Sequence, residues 1–285
     1  MSSGWPDNRW SIGRSVGRLQ RVVVAKVLGI GVDEALVERW RTWFAPSLQP
    51  FRTDLLPSQM AADVPARRME PTPEWTDTFF MYSGTWTWLG EEEFNSLRPG
   101  LRRSLLAVRR RTVRPKVMPA WPSELARSGD DLMFGWIESG HERPSRHEDV
   151  PGALWKRAHA VLPGAERLAG TFSTGGSGPN CFATVLAAAG ADVSDARIGP
   201  DRFQAWLDEH TEGIAGTRCD DEPGVVFAWT EHGRLAHATV SIGGGWMLGK
   251  GSQSWSSPRF IRTVRSVVDS WRYPDTRLSR HRISR

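Results

Sequence analysis

The sequence predicts an α+β protein in which a buried helix packs on an antiparallel sheet, and two stretches carry that prediction. The first runs from Asn180 to Gly190, Asn-Cys-Phe-Ala-Thr-Val-Leu-Ala-Ala-Ala-Gly. The Gly/Ser/Pro loop before it cannot hold a helix, Asn180 is a good N-cap and Gly190 a good C-terminal residue, so the helix is bounded at both ends. From Phe182 to Ala189 it carries no charge and only Thr184 breaks its apolar run, so it is buried on most sides. The second is a meander. Gly224 to Thr230 and Leu235 to Ile242 are β-rich runs joined by Glu231-His-Gly-Arg234, and Trp246 to Leu248 follows the Gly243-Gly-Gly245 turn.

Taken in order, the N-terminal region reads as mainly helical, residues 1–150, with no recognised fold. The apolar run Val22 to Ala25 is broken by Lys26, too short for a signal segment or a membrane span. A helical pattern from Asp33 places Trp40, Trp43 and Phe44 on one face. Pro46 to Pro73 is rich in Pro and polar residues and reads as a long connection, as does Pro115 to Pro122. Between them, Pro99 to Arg111 is a helix with Leu101, Leu105 and Val108 inward and Arg102, Arg103, Arg109 and Arg110 turned away. Gly129 to Pro151 holds His141, His147, Glu138, Glu142, Glu148 and Asp149 without any zinc-ligand spacing, which makes it a polar loop.

A boundary near Asp149 to Gly152 opens the second region, residues 151–285. Ala153 to Val161 is a helix broken by Pro163-Gly164, Ala165 to Gly170 resumes it, and Pro200 to His210 is a helix with Pro at its first position and Phe203, Trp206 and Leu207 on one side. Cys181 then lies in the first turn of the central helix, where backbone N–H groups lack intrahelical partners and the dipole is positive. Both favour a thiolate, which makes Cys181 the candidate nucleophile. Cys219 stands in Cys-Asp-Asp-Glu222, whose acids oppose a thiolate. On the middle strand of the meander, alternation puts Ala236, Ala238, Val240 and Ile242 on one face and Leu235, His237, Thr239 and Ser241 on the other. Cysteine and histidine brought together are what a thiol hydrolase needs, the imidazole acting as base and then as acid.

Gly175-Gly176 before Asn180-Cys181, the buried helix after the cysteine, Pro223-Gly224-Val-Val-Phe, and His237 with Gly-Gly-Gly-Trp after its strand resemble the NlpC/P60 superfamily of papain-like cysteine hydrolases. The resemblance covers roughly residues 151–285. It implies a papain-like helix on an antiparallel sheet, Cys181 as nucleophile, His237 as its base and an orienting residue twelve positions further on. That position is Gly249, the family's Asp before the cysteine is Asn180, and its Ser after it is Phe182. Centring the hairpin turn on Gly243-Gly244 places His237 opposite Lys250, which has no acceptor, and leaves Gln253 as the nearest side chain able to orient the ring.

The expected activity is a thiol-dependent amide or peptide hydrolase acting through a thioacyl intermediate, with the Cys181 N–H and a loop donor holding the oxyanion. The alternatives are an acyltransferase using the same Cys–His pair and a non-catalytic binding protein of the same plan. At 285 residues, 39% hydrophobic and 24% charged, the chain is long enough for one large or two ordinary domains. With two cysteines no disulfide framework is implied, and a cytoplasmic location is expected. The net charge of +5 has no nucleic-acid-binding motif beside it, so the expected partner is a peptide or amide substrate rather than nucleic acid or membrane, with no cofactor and no metal.

Overall fold

Why the helix and the meander meet is visible in the computed structural model, which describes residues 22–112, 119–141 and 143–284. The chain begins with a hairpin, β1 (Val23–Val27) and β2 (Ile30–Asp33), turning through Leu28 and Gly29, both at positive φ. Asp33 caps α1 (Glu34–Phe44) by accepting from the Leu36 N–H at 2.8 Å, and Leu36, Val37, Trp40 and Phe44 are buried along one stripe. Next come β3 (Leu48–Arg52), α2 (Ser58–Ala62), α3 (Pro73–Phe79) and β4 (Trp86–Gly90), which pairs antiparallel with β3. Four helices follow: α4 (Glu91–Ser96), α5 (Pro99–Thr112), α6 (Pro122–Ser128) and α7 (Asp131–Ser139).

After a 3₁₀ turn at His147–Asp149 the second half holds α8 (Gly152–His159), α9 (Ala165–Leu168), α10 (Cys181–Ala188) and α11 (Pro200–His210). It continues with β5 (Thr211–Ile214), β6 (Pro223–Glu231), β7 (Arg234–Gly243), β8 (Trp246–Lys250), β9 (Arg259–Thr263), α12 (Val264–Ser270) and β10 (Thr276–Ile283). The six strands form one antiparallel sheet in the order β5-β10-β6-β7-β8-β9, curled into a half-barrel. The chain is therefore α+β, with twelve α-helices among the described residues.

Each face of this sheet has its own core. Val226, Ala228, Ala238, Val240, Ile242, Leu248 and Ile261 pack with α8, α10 and α11, including Cys181, Phe182 and Phe203. Val225, Phe227, Trp229, Met247 and Phe260 point the other way, under Val267 of α12 and Trp271. A third cluster joins the two halves: Trp40, Phe44, Met133 and Trp136 pack with Phe172 and Trp255 from beyond residue 151.

Several expectations need correcting. The N-terminal region is not mainly helical, because β1 with β2 and β3 with β4 form two small sheets. The stretch from Pro46 to Pro73 contains β3 and α2 rather than a bare connection. Of Pro115 to Pro122, residues 115–118 lie outside the described residues. Arg109 is buried rather than turned to solvent, with a ring of Phe51 and one of Phe79 each 4.9 Å from its guanidinium carbon and Nη2 donating to Gln49 Oε1. The β7–β8 turn is centred on Gly244-Gly245, since Gly243 pairs with Trp246 and a bulge separates that pair from Ser241–Met247 and Val240–Leu248. His237 thus does not face Lys250 across the ladder.

Candidate functional site

A cavity of about 470 Å³ opens where β7 runs past the end of β8, beside the N-terminus of α10. Asn180 builds that end. Its backbone is extended, its Oδ1 accepts from the Ala183 N–H at 3.1 Å, and its Nδ2 donates to the Ile198 carbonyl at 2.7 Å. The preceding loop is held from two sides: Gly178 N–H donates to the Gln253 carbonyl at 3.0 Å, and Ser177 N–H to Glu74 Oε1 at 2.9 Å. Gly176 sits at φ +104°, a backbone conformation that residues with a Cβ rarely adopt, and a Cβ there would also push the same Glu74 carboxylate aside.

Cys181 lines the cavity as the first residue of α10 but is only 8% exposed. Burial pushes its thiol pKa up to about 11. The Ala238 N–H, the N–H groups of the helix start and the Lys250 ammonium act the other way without prevailing. His237 lines the same cavity from the other side of β7. Its ring stacks on Trp271, centroids 4.0 Å apart and planes at 9°, and its cross-strand neighbour is Trp229 at 5.5 Å. Burial lowers its pKa to about 3, and Nε2 is enclosed with no hydrogen-bond partner. The structure brings both residues to one cavity, but no hydrogen bond joins the thiol to the imidazole.

Gln253 reaches the cavity too, yet it does not serve the ring. Its side chain lines the cavity with Tyr82 and makes no hydrogen bond to His237, and its carbonyl anchors the Cys181 loop. Position 249 could not have held an orienting side chain. A Cβ there would lie 2.6 Å from Thr239 Cγ2 and 3.1 Å from Phe260 Cζ, so the two neighbours already fill the space. No family model, curated protein or solved structure matches the chain. What the site does has to come from its own chemistry.

Three parts of the site escaped sequence reasoning. Lys250 is fully buried, and its ammonium donates to the carbonyls of Ser252, Ser254 and Ser257 at 2.8, 2.9 and 2.6 Å, folding that loop around itself. Burial and the nearby Arg259 pull its pKa well down, while three acceptors matched to three N–H donors hold the charged form. Asp77 and Tyr82 come from α3 and the turn after it, with the Tyr82 hydroxyl donating to Asp77 Oδ1. Thr72-Pro73-Glu74, a capping residue followed by Pro, was the available signal for that helix.

Among the described residues no three His, Cys, Asp or Glu side chains converge as a metal site, and no helix is long and apolar enough to cross a membrane. Both cysteines are free, and Arg282 Nη2 lies 3.0 Å from Cys219 Sγ, so Cys219 is not surrounded by acids alone.

Proposed function

We propose that the chain is a ligand-binding protein on an NlpC/P60-like plan, whose cavity takes a small amide- or peptide-like molecule without turning it over. The observation that carries this reading is the state of the pair. The Cys181 thiol is held neutral with a pKa near 11, and His237 is held neutral, stacked beneath Trp271, with Nε2 unpartnered. At neutral pH such a thiol is ionised in fewer than about one molecule in a thousand, and an imidazole that resists protonation is a weak base. A walled cavity with convergent polar groups nonetheless suits a bound molecule.

A thiol hydrolase or acyltransferase is the second reading. Its support is that Cys181 begins an Asn-capped helix and shares the cavity with His237. That chemistry would need the Cys181 proton to pass to His237, the acyl carbon to bond to Sγ, and the leaving group to depart with the proton.

p-Nitrophenyl acetate separates the two. The binding reading expects nitrophenolate release no faster from the wild type than from Cys181→Ala, and no acetyl group on the Cys181 peptide by mass spectrometry. A stoichiometric burst with acetylated Cys181, slowed by His237→Ala, would replace it with the enzyme reading.

A further inference from the structure

We infer that the outward face of α5 is a docking surface for the phosphodiester backbone of duplex DNA, held by Arg103, Arg110 and Arg111 without regard to base sequence. None of these residues lines the cavity. Between Glu93 and Glu124 the sequence holds eight cationic residues, seven Arg and Lys116, and no acid. Taking that +8 from the chain's net +5 leaves −3 for everything else, so the excess positive charge belongs to this one stretch.

The fold turns much of that charge to one side. Leu101, Leu105, Val108 and Arg109 form the buried stripe of α5. At about 100° per residue, Arg103 and Arg110 stand on the opposite side of the helix. Both are exposed, and so is Arg111 beside them. Seven residues separate Arg103 from Arg110, which sets them about 10 Å apart along the axis.

These guanidinium groups differ from most others in the protein. Arg41, Arg52, Arg67, Arg146, Arg280 and Arg282 each have a carboxylate oxygen at 2.6–2.9 Å. Among the described residues no Asp or Glu pairs with Arg103, Arg110 or Arg111, and the acids nearby in the chain are engaged elsewhere. Glu93 pairs with Arg67 at 2.6 Å, Glu91 accepts from Ser123 Oγ at 2.7 Å, and Asp63 lies 3.9 Å from Arg98 Nη1.

The chemistry of the face selects the partner. A guanidinium presents a fork of N–H donors that matches two phosphate oxygens. A helix that binds a lipid surface sinks an apolar face into it, and the apolar face of α5 is already packed with Phe51, Leu89 and Phe94. No large apolar side chain of α5 is exposed. Proteins that bind single strands set aromatic rings among their cations for the bases to stack on, and α5 has no aromatic residue. Arginines fixed along a helix suit the regularly spaced phosphates of a duplex, and contacts to phosphate alone need no base-reading motif.

The test is fluorescence anisotropy of the full chain with a labelled mixed-sequence DNA duplex of about 20 base pairs, at salt concentrations between about 50 and 200 mM. Three contacted phosphates give a slope of log affinity against log salt concentration of about −2.7. Replacing the three together, Arg103→Gln, Arg110→Gln and Arg111→Gln, should weaken binding at least about tenfold at the lowest salt and flatten the slope, and Arg110→Gln alone should lessen the slope by about one. Arg265→Gln, Arg272→Gln and Arg277→Gln together remove the same charge from exposed positions elsewhere and should leave affinity and slope nearly unchanged. Thermal unfolding checks that each variant is folded, and if the first triple variant is not, the slope of Arg110→Gln decides. Equal losses in the two triple variants would overturn the surface, because binding would then follow net charge alone. Duplex binding too weak to measure at the lowest salt would overturn it as well. Binding through the same arginines to phosphatidylcholine vesicles with about 30% phosphatidylserine, but not to the duplex, would overturn DNA as the partner.

Discussion

Acid titration of His237 gives the sharpest prediction. In the fold, burial holds its pKa at about 3, against 6.5 for an unperturbed histidine. A lowered folded pKa means that the unfolded chain takes up the proton first. The stability contributed by the neutral ring is therefore complete above pH 6.5 and is lost as the pH falls toward 3. Each unit of that window is worth about 1.4 kcal/mol, so a descent from pH 6.5 to 4.5 removes about 3 kcal/mol on account of this residue. Urea unfolding of the wild type and of His237→Gln, measured at several pH values between about 7.5 and 4.5, isolates the contribution. Carboxylates and the partly buried histidines His147 and His281, whose pKa values burial also lowers, titrate in both proteins and cancel.

The wild type should lose about 3 kcal/mol more than the variant across that range. Parallel curves would refute the reasoning. They would mean that the folded chain protonates His237 without penalty, as it would if a Cys181 thiolate stood beside the ring. The same experiment thus weighs the two functional readings, because a general base has to accept a proton near neutral pH.

Three further outcomes are expected. Gly249→Ala forces a Cβ against Thr239 and Phe260 and should destabilise the fold by about 1–3 kcal/mol in guanidinium unfolding; a loss under about 0.5 kcal/mol would show that these neighbours yield freely. Lys250→Met leaves three carbonyls without their donor and should cost about 3 kcal/mol or more, with faster hydrogen exchange at the Trp255 amide, whereas an unchanged melting temperature would remove Lys250 from its place at the loop's centre. Iodoacetamide at neutral pH should modify the half-exposed Cys219 well before Cys181, and the Cys181 rate should climb until about pH 11; peptide mass spectrometry showing Cys181 reacting first would contradict its burial and its raised pKa.

What the sequence shows well is what local chemistry decides. The Asn180 cap, the Pro200 start of α11 and the alternation along β7 each rest on residues within a few positions of one another, and the structure has them all. What it hides is decided by distant partners. Thr276–Ile283 looks like a basic tail, yet it is a strand between β5 and β6. Arg280 pairs there with Asp220 and lies over Phe227, and Arg282 pairs with Glu222. Charge pattern cannot reveal carboxylates sixty residues away. The strand β3 carries Pro50 and finds β4 only across the α2–α3 segment, so its pairing has no local turn to announce it. Arg109 was partly legible. It stands four residues after Leu105 and so continues the buried stripe of α5, and only the usual exposure of arginine argued against that.

The relation between Cys181 and His237 follows from the strand that carries the histidine. A helix without charge can bury itself only against an apolar surface, and β7 offers one through Ala238, Val240 and Ile242. Side chains alternate along a strand, so the pattern that draws α10 onto β7 sends His237, Thr239 and Ser241 to the opposite side. There the ring finds Trp229 and Trp271 rather than a thiol. A shift of one residue would exchange the faces, which is why the order of motifs along the chain resembles a Cys–His hydrolase while the side chains need not meet as one. The cavity at the end of β8 then draws its polar character from elsewhere. Asp77 and Tyr82 come from the N-terminal half, and the loop around Lys250 comes from the C-terminal half. Trp255 of that loop donates through Nε1 to Thr78 Oγ1 of α3 at 2.9 Å, beside Asp77. The N-terminal half is thereby part of the site's wall, and the chemistry of the cavity belongs to both halves of the chain.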